Sequence, residues 1–312
     1  MNRHLRLAPG FVLVALLSYV LLGNDALDGA SWQAVAAVIL SHVTMLGQDA
    51  MVFLSYDATG AVAFAKNFRA LPAGQSSAMD FLLVPQGWTL GVEALFYLCV
   101  PILMPRRVAT LLPLAFALLG LHALLFYAMD LRGDPWTYRF FPFALPLFLF
   151  GACAFKSAAW LGRQPWFTPA RAWTFAAIMA LAIAYPVLPG GGSEKRWAFV
   201  ALLALALPAI FDLSKRWAWD RHLGAFSFPL YIAHVLCFEV GLRIGAGDAA
   251  KLAMTALLSA VIVYGVELPI DRWRARLAAK SVKAVPTLCP LDPVISDKSG
   301  AEWDRTATMP LR

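Results

Sequence analysis

The chain has 312 residues, 60% of them hydrophobic and only 14% charged, against about 25% charged in an average soluble domain. That composition excludes an ordinary soluble protein, and several apolar runs approach the roughly 20 residues that span a bilayer, so the chain reads as a polytopic membrane protein. The net charge of +7 does not mark a nucleic-acid binder, because the basic residues lie in short clusters between apolar runs, where they orient helices and meet anionic headgroups of membrane lipid.

Apolar runs lie near residues 9–23, 33–54, 86–104, 108–129, 140–155, 172–189, 197–212, 225–241 and 252–270. All read as helices, since only helices and closed barrels satisfy the backbone in hydrocarbon and the runs lack the period-two alternation of a barrel. The expected fold class is all-α: a polytopic membrane helix bundle of about eight crossings plus one re-entrant or interfacial helix. Arg3 and Arg6 precede the first run, and no small-residue cleavage pattern follows it, so it reads as a retained helix. Run 33–54 carries Ser41, His42, Gln48 and Asp49, which suits a half-buried element better than a lipid-facing span.

The third run holds the most informative residue. Glu93 sits among Trp88, Thr89, Phe96 and Tyr97, and a carboxylate in a membrane-length helix is rare without a purpose. Glu93 and Tyr97 are four residues apart and share a helix face with Thr89. Further on, Ser227, Tyr231 and His234 fall on one face of the helix that Gly224 opens. A histidine below a tyrosine and a serine can line a polar cavity and move a proton near neutral pH. Glu267 closes the last run, where it either lines a site or pairs with Arg272 or Arg274. Arg3 and Arg6 share a face just before Pro9. They anchor the cytoplasmic end, or their guanidinium forks grip phosphates. The four cysteines, Cys99, Cys153, Cys237 and Cys289, form no C-x-x-C pair and read as small buried hydrophobes. No metal site is expected. From about Ser281 the composition turns to scattered charge and prolines, so residues 281–312 are expected to form a disordered cytoplasmic tail after a membrane domain over 1–280.

Five motifs in one order resemble a known family. Trp88-Thr89-Leu90-x-x-Glu93-x-x-Phe96-Tyr97 is similar to the W-[ST]-L-x-x-E-x-x-F-Y signature of the acyltransferase-3 family of integral-membrane O-acyltransferases. Gly224 to His234 resembles that family's G-x-x-S-Y-x-x-Y-L-x-H stretch, with Phe228 replacing the tyrosine and Pro229 following it. Val266-Glu267-Leu268-Pro269 resembles V-E-[RK]-P with Leu268 in the basic position, Leu145 to Gly151 resembles L-P-x-F-x-x-G, and Arg3-x-x-Arg6-x-x-Pro9 resembles the R-x-x-R-I-x-P that opens the family's third helix.

The resemblance implies O-acyl transfer, usually of acetyl from acetyl-CoA or another acyl-CoA, onto a sugar hydroxyl of lipopolysaccharide, peptidoglycan, an exopolysaccharide or a related glycan or glycolipid. No bound cofactor is implied, and the location would be a bacterial inner (plasma) membrane. Glu93 and His234 would be catalytic. Arg3, Arg6, Trp88, Tyr97, Ser227, Tyr231 and Glu267 would bind donor and acceptor. Family members open with two further helices that carry an arginine and a histidine base. The sequence starts at the segment resembling the third, which implies a truncated relative without that base, or a start site placed too late. Residues 1–312 alone are then expected to show no appreciable transfer. A transporter or flippase of a glycan or lipid-linked substrate, and a non-catalytic remnant, are the other readings. The first would favour inverted repeats, and the sequence has none.

Orientation follows from the clusters at Arg106-Arg107 and from Arg272 to Lys283, which should be cytoplasmic. Reporters fused after Arg107 or Lys280 are expected to read cytoplasmic, and those after Gly133 or Gly192 external. A cytoplasmic signal at Gly192 would reverse the orientation.

Overall fold

The computed structural model of the chain describes residues 2–283 apart from 132, 137, 190, 191 and 216, with the side chains of 2–6, 192–194, 197, 218, 220, 221 and 277–283 also left out. The tail expected to be disordered lies beyond 283, outside the described residues.

Helices dominate. The chain runs through α1 (Asn2–Leu22), the short α2 (Asp25–Asp28), α3 (Trp32–Thr44), α4 (Trp88–Leu103), α5 (Val108–Ala128), α6 (Phe141–Leu161), α7 (Phe167–Ala184), α8 (Gly192–Ser214), α9 (Ala218–Arg243), α10 (Asp248–Ile262) and α11 (Leu268–Lys283). Among the described residues six helical stretches are long and apolar enough to cross a membrane: Pro85–Leu103, Val108–Ala128, Phe141–Leu161, Phe167–Val187, His222–Arg243 and Asp248–Arg276. Leu7–Leu22, Trp32–Thr44 and Ala198–Ser214 are shorter apolar helices. Large apolar side chains such as Leu98, Ile102, Ile183 and Leu205 point outward, as a lipid-facing surface requires. The fold is an all-α polytopic bundle, and the chain is an integral membrane protein.

Contacts group residues up to Ile270 into one compact unit and those from Asp271 onward into a second. In the second, Arg274 donates to the Asp271 carboxylate at 3.0 Å, within one helical turn. In the first, the main core lies where α1, α9 and α10 meet, with Phe11, Val14, Ile232, Ala233, Leu236 and Ile262 fully or almost fully buried. Small residues at this contact let backbones approach, which is how helices associate where lipid is as apolar as leucine. A second cluster of Leu111, Ala115, Leu149, Ala152 and Cys153 joins α5 to α6. Prolines stand inside α1, α4, α5, α6, α8 and α9, tolerable in membrane helices because neighbours re-satisfy the freed carbonyls.

The apolar run 33–54 is helical only as far as Thr44. Ser31 caps α3 by accepting from the Ala34 amide at 3.4 Å, and the helix stops at Met45, whose φ is +56°. A 3-10 turn over Ala50–Phe53 then leads into a three-stranded antiparallel sheet ordered β2-β1-β3: β1 (Leu54–Asp57), β2 (Val62–Phe64) and β3 (Gln75–Ser77). The sequence reading contained no sheet. Asp57 builds the β1–β2 turn: its carboxylate accepts from the Thr59 amide at 2.8 Å, the Thr59 hydroxyl at 2.6 Å and the Ala61 amide at 3.0 Å. The Thr59 hydroxyl, with those amides, holds the exposed Asp57 carboxyl below its usual range, and Gly60 supplies the positive φ.

The segment before the sheet packs on α4 through two glycines one turn apart. A side chain at Gly87 would strike the Gln48 amide oxygen and Phe11, and one at Gly91 would strike the Asp49 carboxylate and backbone nitrogen. Gly91→Leu is expected to destabilise the protein by about 1–3 kcal/mol through overpacking, read as a lowered thermal midpoint in detergent. Gly120→Ala should not lower the midpoint, because a Cβ there meets nothing within 4 Å.

Candidate active site

The site is built at the entry to α4. Pro85–Gly87 form a 3-10 turn that carries the buried Gln86 into the helix. The Gln86 side-chain amide donates to the carbonyls of Tyr231 at 3.1 Å and Ile232 at 2.9 Å on α9. In return the Tyr231 hydroxyl donates to the Gln86 main-chain carbonyl at 3.0 Å. The Thr89 hydroxyl lies 2.9 Å from the Tyr231 hydroxyl and 3.0 Å from the same Gln86 carbonyl. Two sequence segments singled out separately, 88–97 and 224–234, are therefore joined directly.

One turn and then two turns further along α4, the local pairs seen in the sequence appear. The Tyr97 hydroxyl donates to the Glu93 carboxylate, and both residues are half-buried. Phe96 stacks on Phe148 of α6 with ring centres 4.2 Å apart, so the helix face beside the carboxylate is fixed by aromatic packing. On α9 His234 is half-buried, its ring 5.9 Å from that of Tyr231. Its Nδ1 lies 2.7 Å from the Tyr231 carbonyl. A carbonyl only accepts, so Nδ1 carries the proton, and in the neutral ring Nε2 is the acceptor.

The remaining expected residues are more dispersed. Ser227 is exposed and its hydroxyl donates to the Leu223 carbonyl of its own helix at 3.3 Å. Glu267 is only 4% exposed. It ends a π-helical turn over Val263–Glu267, and its carboxylate lies against α1 at Gly10. Such turns are often found at functional sites. Arg3 and Arg6 belong to α1, but their side chains fall outside the described residues. Among the described residues no group of three or more His, Cys, Asp or Glu could hold a metal.

Trp88 leads to a residue that sequence reasoning passed over. Arg139 is 7% exposed. Its guanidinium lies 4.5 Å from the Trp88 ring centre and 5.3 Å from that of Phe68. Two hydrogen bonds, at 2.6 and 3.0 Å, tie it to the Asp134 carboxylate. In the sequence Arg139 counts only as a loop cation. Its position just before α6, beside Asp134, Trp136 and Tyr138, was the available signal. Gln86 was also missed, since nothing local distinguishes a glutamine that reaches another helix. His122, for which the sequence offers no neighbour, stacks on Phe143 at 4.2 Å. Asp212 is bound by Arg171 and Lys215.

Comparison with protein-family models, with curated proteins and with solved structures finds no match to this chain.

The junction of α4 and α9 is open to a direct test. A double-mutant cycle between Thr89→Val and Tyr231→Phe is expected to show a coupling of about 0.6–1.7 kcal/mol, the range for polar contacts between membrane helices. The readout is unfolding in detergent. Zero coupling would mean that the hydroxyl pair contributes nothing.

Proposed function

We propose that the chain is a membrane O-acyltransferase that moves an acyl group, usually acetyl, from acyl-CoA to a sugar hydroxyl of a cell-envelope or exported glycan. The observation that carries this reading is the Thr89–Tyr231 hydrogen bond. It unites the two segments whose residues resemble the acyltransferase-3 motifs, so that the resemblance concerns one place in the molecule and not scattered strings. The bacterial inner membrane, with the C-terminus cytoplasmic, is the setting that goes with it.

The chemistry asks little of the leaving group and more of the acceptor. The acceptor oxygen attacks the thioester carbonyl carbon, a C–O bond forms, the C–S bond breaks, and the acceptor's proton must pass to a base. Coenzyme A leaves as a thiolate, which is stable near pH 8.5 and takes up a proton afterwards. In this reading a longer product of the gene supplies the histidine base of the family's opening helices, and within this chain His234 offers Nε2 as a further proton acceptor, its ring held by the Nδ1–H bond to the Tyr231 carbonyl. Glu93, bound by Tyr97, orients the acceptor hydroxyl. Trp88 and Tyr97 offer aromatic walls to the acceptor, with Ser227 and Tyr231 on the other helix. Arg3 and Arg6 grip the donor's phosphates, and Glu267 lies against α1 at Gly10.

Labelled acetyl transfer from acetyl-CoA to envelope glycans, measured in membranes of cells expressing the gene from its natural locus, tests this. Transfer is expected, and Glu93→Gln and His234→Ala should each lower it by about 10²-fold or more at unchanged membrane insertion. An unlabelled glycan in the unmutated strain would refute the activity. Equal labelling by the unmutated protein and Glu93→Gln would refute the site.

A further inference from the structure

Three helices, α5, α6 and α8, leave a space that the acyl-transfer reading does not use. Helices α5 and α8 each pack against α6, and between them runs a groove of about 720 Å³. That size falls among sites for extended small molecules, which occupy about 300–1,000 Å³. Its walls are almost wholly apolar: Phe116 on α5, Leu147 and Phe150 on α6, and Ala204 and Leu205 on α8 are among them.

The polar groups are not spread evenly. Arg196 stands in the first turns of α8, which begins at Gly192, and Tyr127 is the penultimate residue of α5. Both line the groove at one end and both are exposed. From Leu112 to Tyr127 the α5 wall is about 22 Å long, at 1.5 Å per residue, and beyond His122 toward Leu112 it is apolar throughout. Among the described residues that line the groove there is no carboxylate. The groove thus has a cationic, aromatic mouth at the helix ends and a long apolar barrel reaching toward the middle of the helices.

We infer that this groove holds one anionic phospholipid of the surrounding bilayer, with its phosphate against Arg196 and one acyl chain laid along α5, α6 and α8. Charge decides the occupant. A zwitterionic lipid carries the same phosphate diester but brings its own ammonium to the mouth, whereas an anionic headgroup gives the Arg196 fork its acceptor oxygens without adding a competing cation. Position agrees, because a basic and a phenolic side chain at helix ends lie at headgroup depth while the helix middles lie among acyl chains. The small side chains of Ala201 and Ala204 are what leave room for the chain on the α8 side. The lipid then completes the packing between α5 and α8, and this role is independent of the proposed reaction.

The full chain is purified after reconstitution in nanodiscs of phosphatidylcholine alone or mixed equally with phosphatidylglycerol. Retained lipid is counted by native mass spectrometry after transfer to mild detergent. One phosphatidylglycerol per chain is expected, preferred over phosphatidylcholine by about fivefold, the factor that one arginine near a membrane surface corresponds to. Arg196→Ala should abolish the preference and Arg196→Lys should keep most of it, which separates lost charge from lost folding. Ala204→Trp, which fills the barrel, should abolish retention of both lipids while helix content by circular dichroism stays unchanged. Equal retention of the two lipids by the unmutated chain, a preference that survives Arg196→Ala, or a lipid still held by Ala204→Trp would each overturn the inference. So would displacement of the lipid by glycerol phosphate, which has a headgroup and no chain.

Discussion

Gln86 faces α9 with both of its hydrogen-bonding systems at once, the side-chain amide giving two protons to successive carbonyls and the main-chain carbonyl receiving the Tyr231 hydroxyl. Between membrane helices there is no general hydrophobic force, so a polar contact of this kind and close small-residue packing select which faces meet. The first turn of α4 therefore takes its register from α9. Gly87 and Gly91 then let the Gln48–Asp49 segment lie against the opposite face of that turn. The stop of α3 at Met45, the 3-10 turn and the small sheet all follow from where that segment is pinned. Changing the register of α4 by one residue would move Thr89 away from Tyr231, while the Glu93–Tyr97 pair, internal to α4, would travel with the helix.

The candidate site inherits its geometry from this junction. Thr89 and Tyr231 join the two helices, with Glu93 one turn beyond Thr89 on α4 and His234 about one turn beyond Tyr231 on α9, each hydrogen-bonded to a tyrosine. Tyr97 holds the Glu93 carboxylate, and the Tyr231 carbonyl holds the His234 ring. Neither side chain is left to choose its rotamer freely, and such preorganisation is what a proton-transfer site needs. Arg139 adds a buried positive charge under Trp88, balanced by Asp134. A paired buried charge costs its desolvation once, at folding, and afterwards supplies a fixed field beside the aromatic wall.

Away from the site, ionic contacts cluster at helix ends. Arg171 and Lys215 share Asp212 near the ends of α7 and α8, and Lys251 meets Asp248 at the start of α10. Helix ends lie at the interface, where charged groups keep water or partners. The middles of the same helices are given over to apolar packing within the bundle and to lipid outside it. The groove beside α6 has apolar walls from α5, α6 and α8, with Arg196 and Tyr127 at one end.

What the amino-acid order determined by itself is everything that repeats within one or two helical turns. Runs of apolar residues near bilayer length specify helices, because hydrocarbon tolerates no unpaired backbone; α4 and α5 begin and end within two residues of the runs that announced them, whereas α6 runs on past the end of its run and α9 starts well before its own. The pairing of Glu93 with Tyr97 was legible for the same reason, since four residues apart on a helix means one face. The sheet over 54–77 was not, as three- and four-residue strands carry too little alternation to be read and exist only through pairing with each other. Nor was the bond between Thr89 and Tyr231, which are 142 residues apart, the burial of Arg139, or the groove between α5 and α8. Each depends on which helix face meets which, and side-chain packing decides that after the helices have formed, without a local period in the sequence to record it.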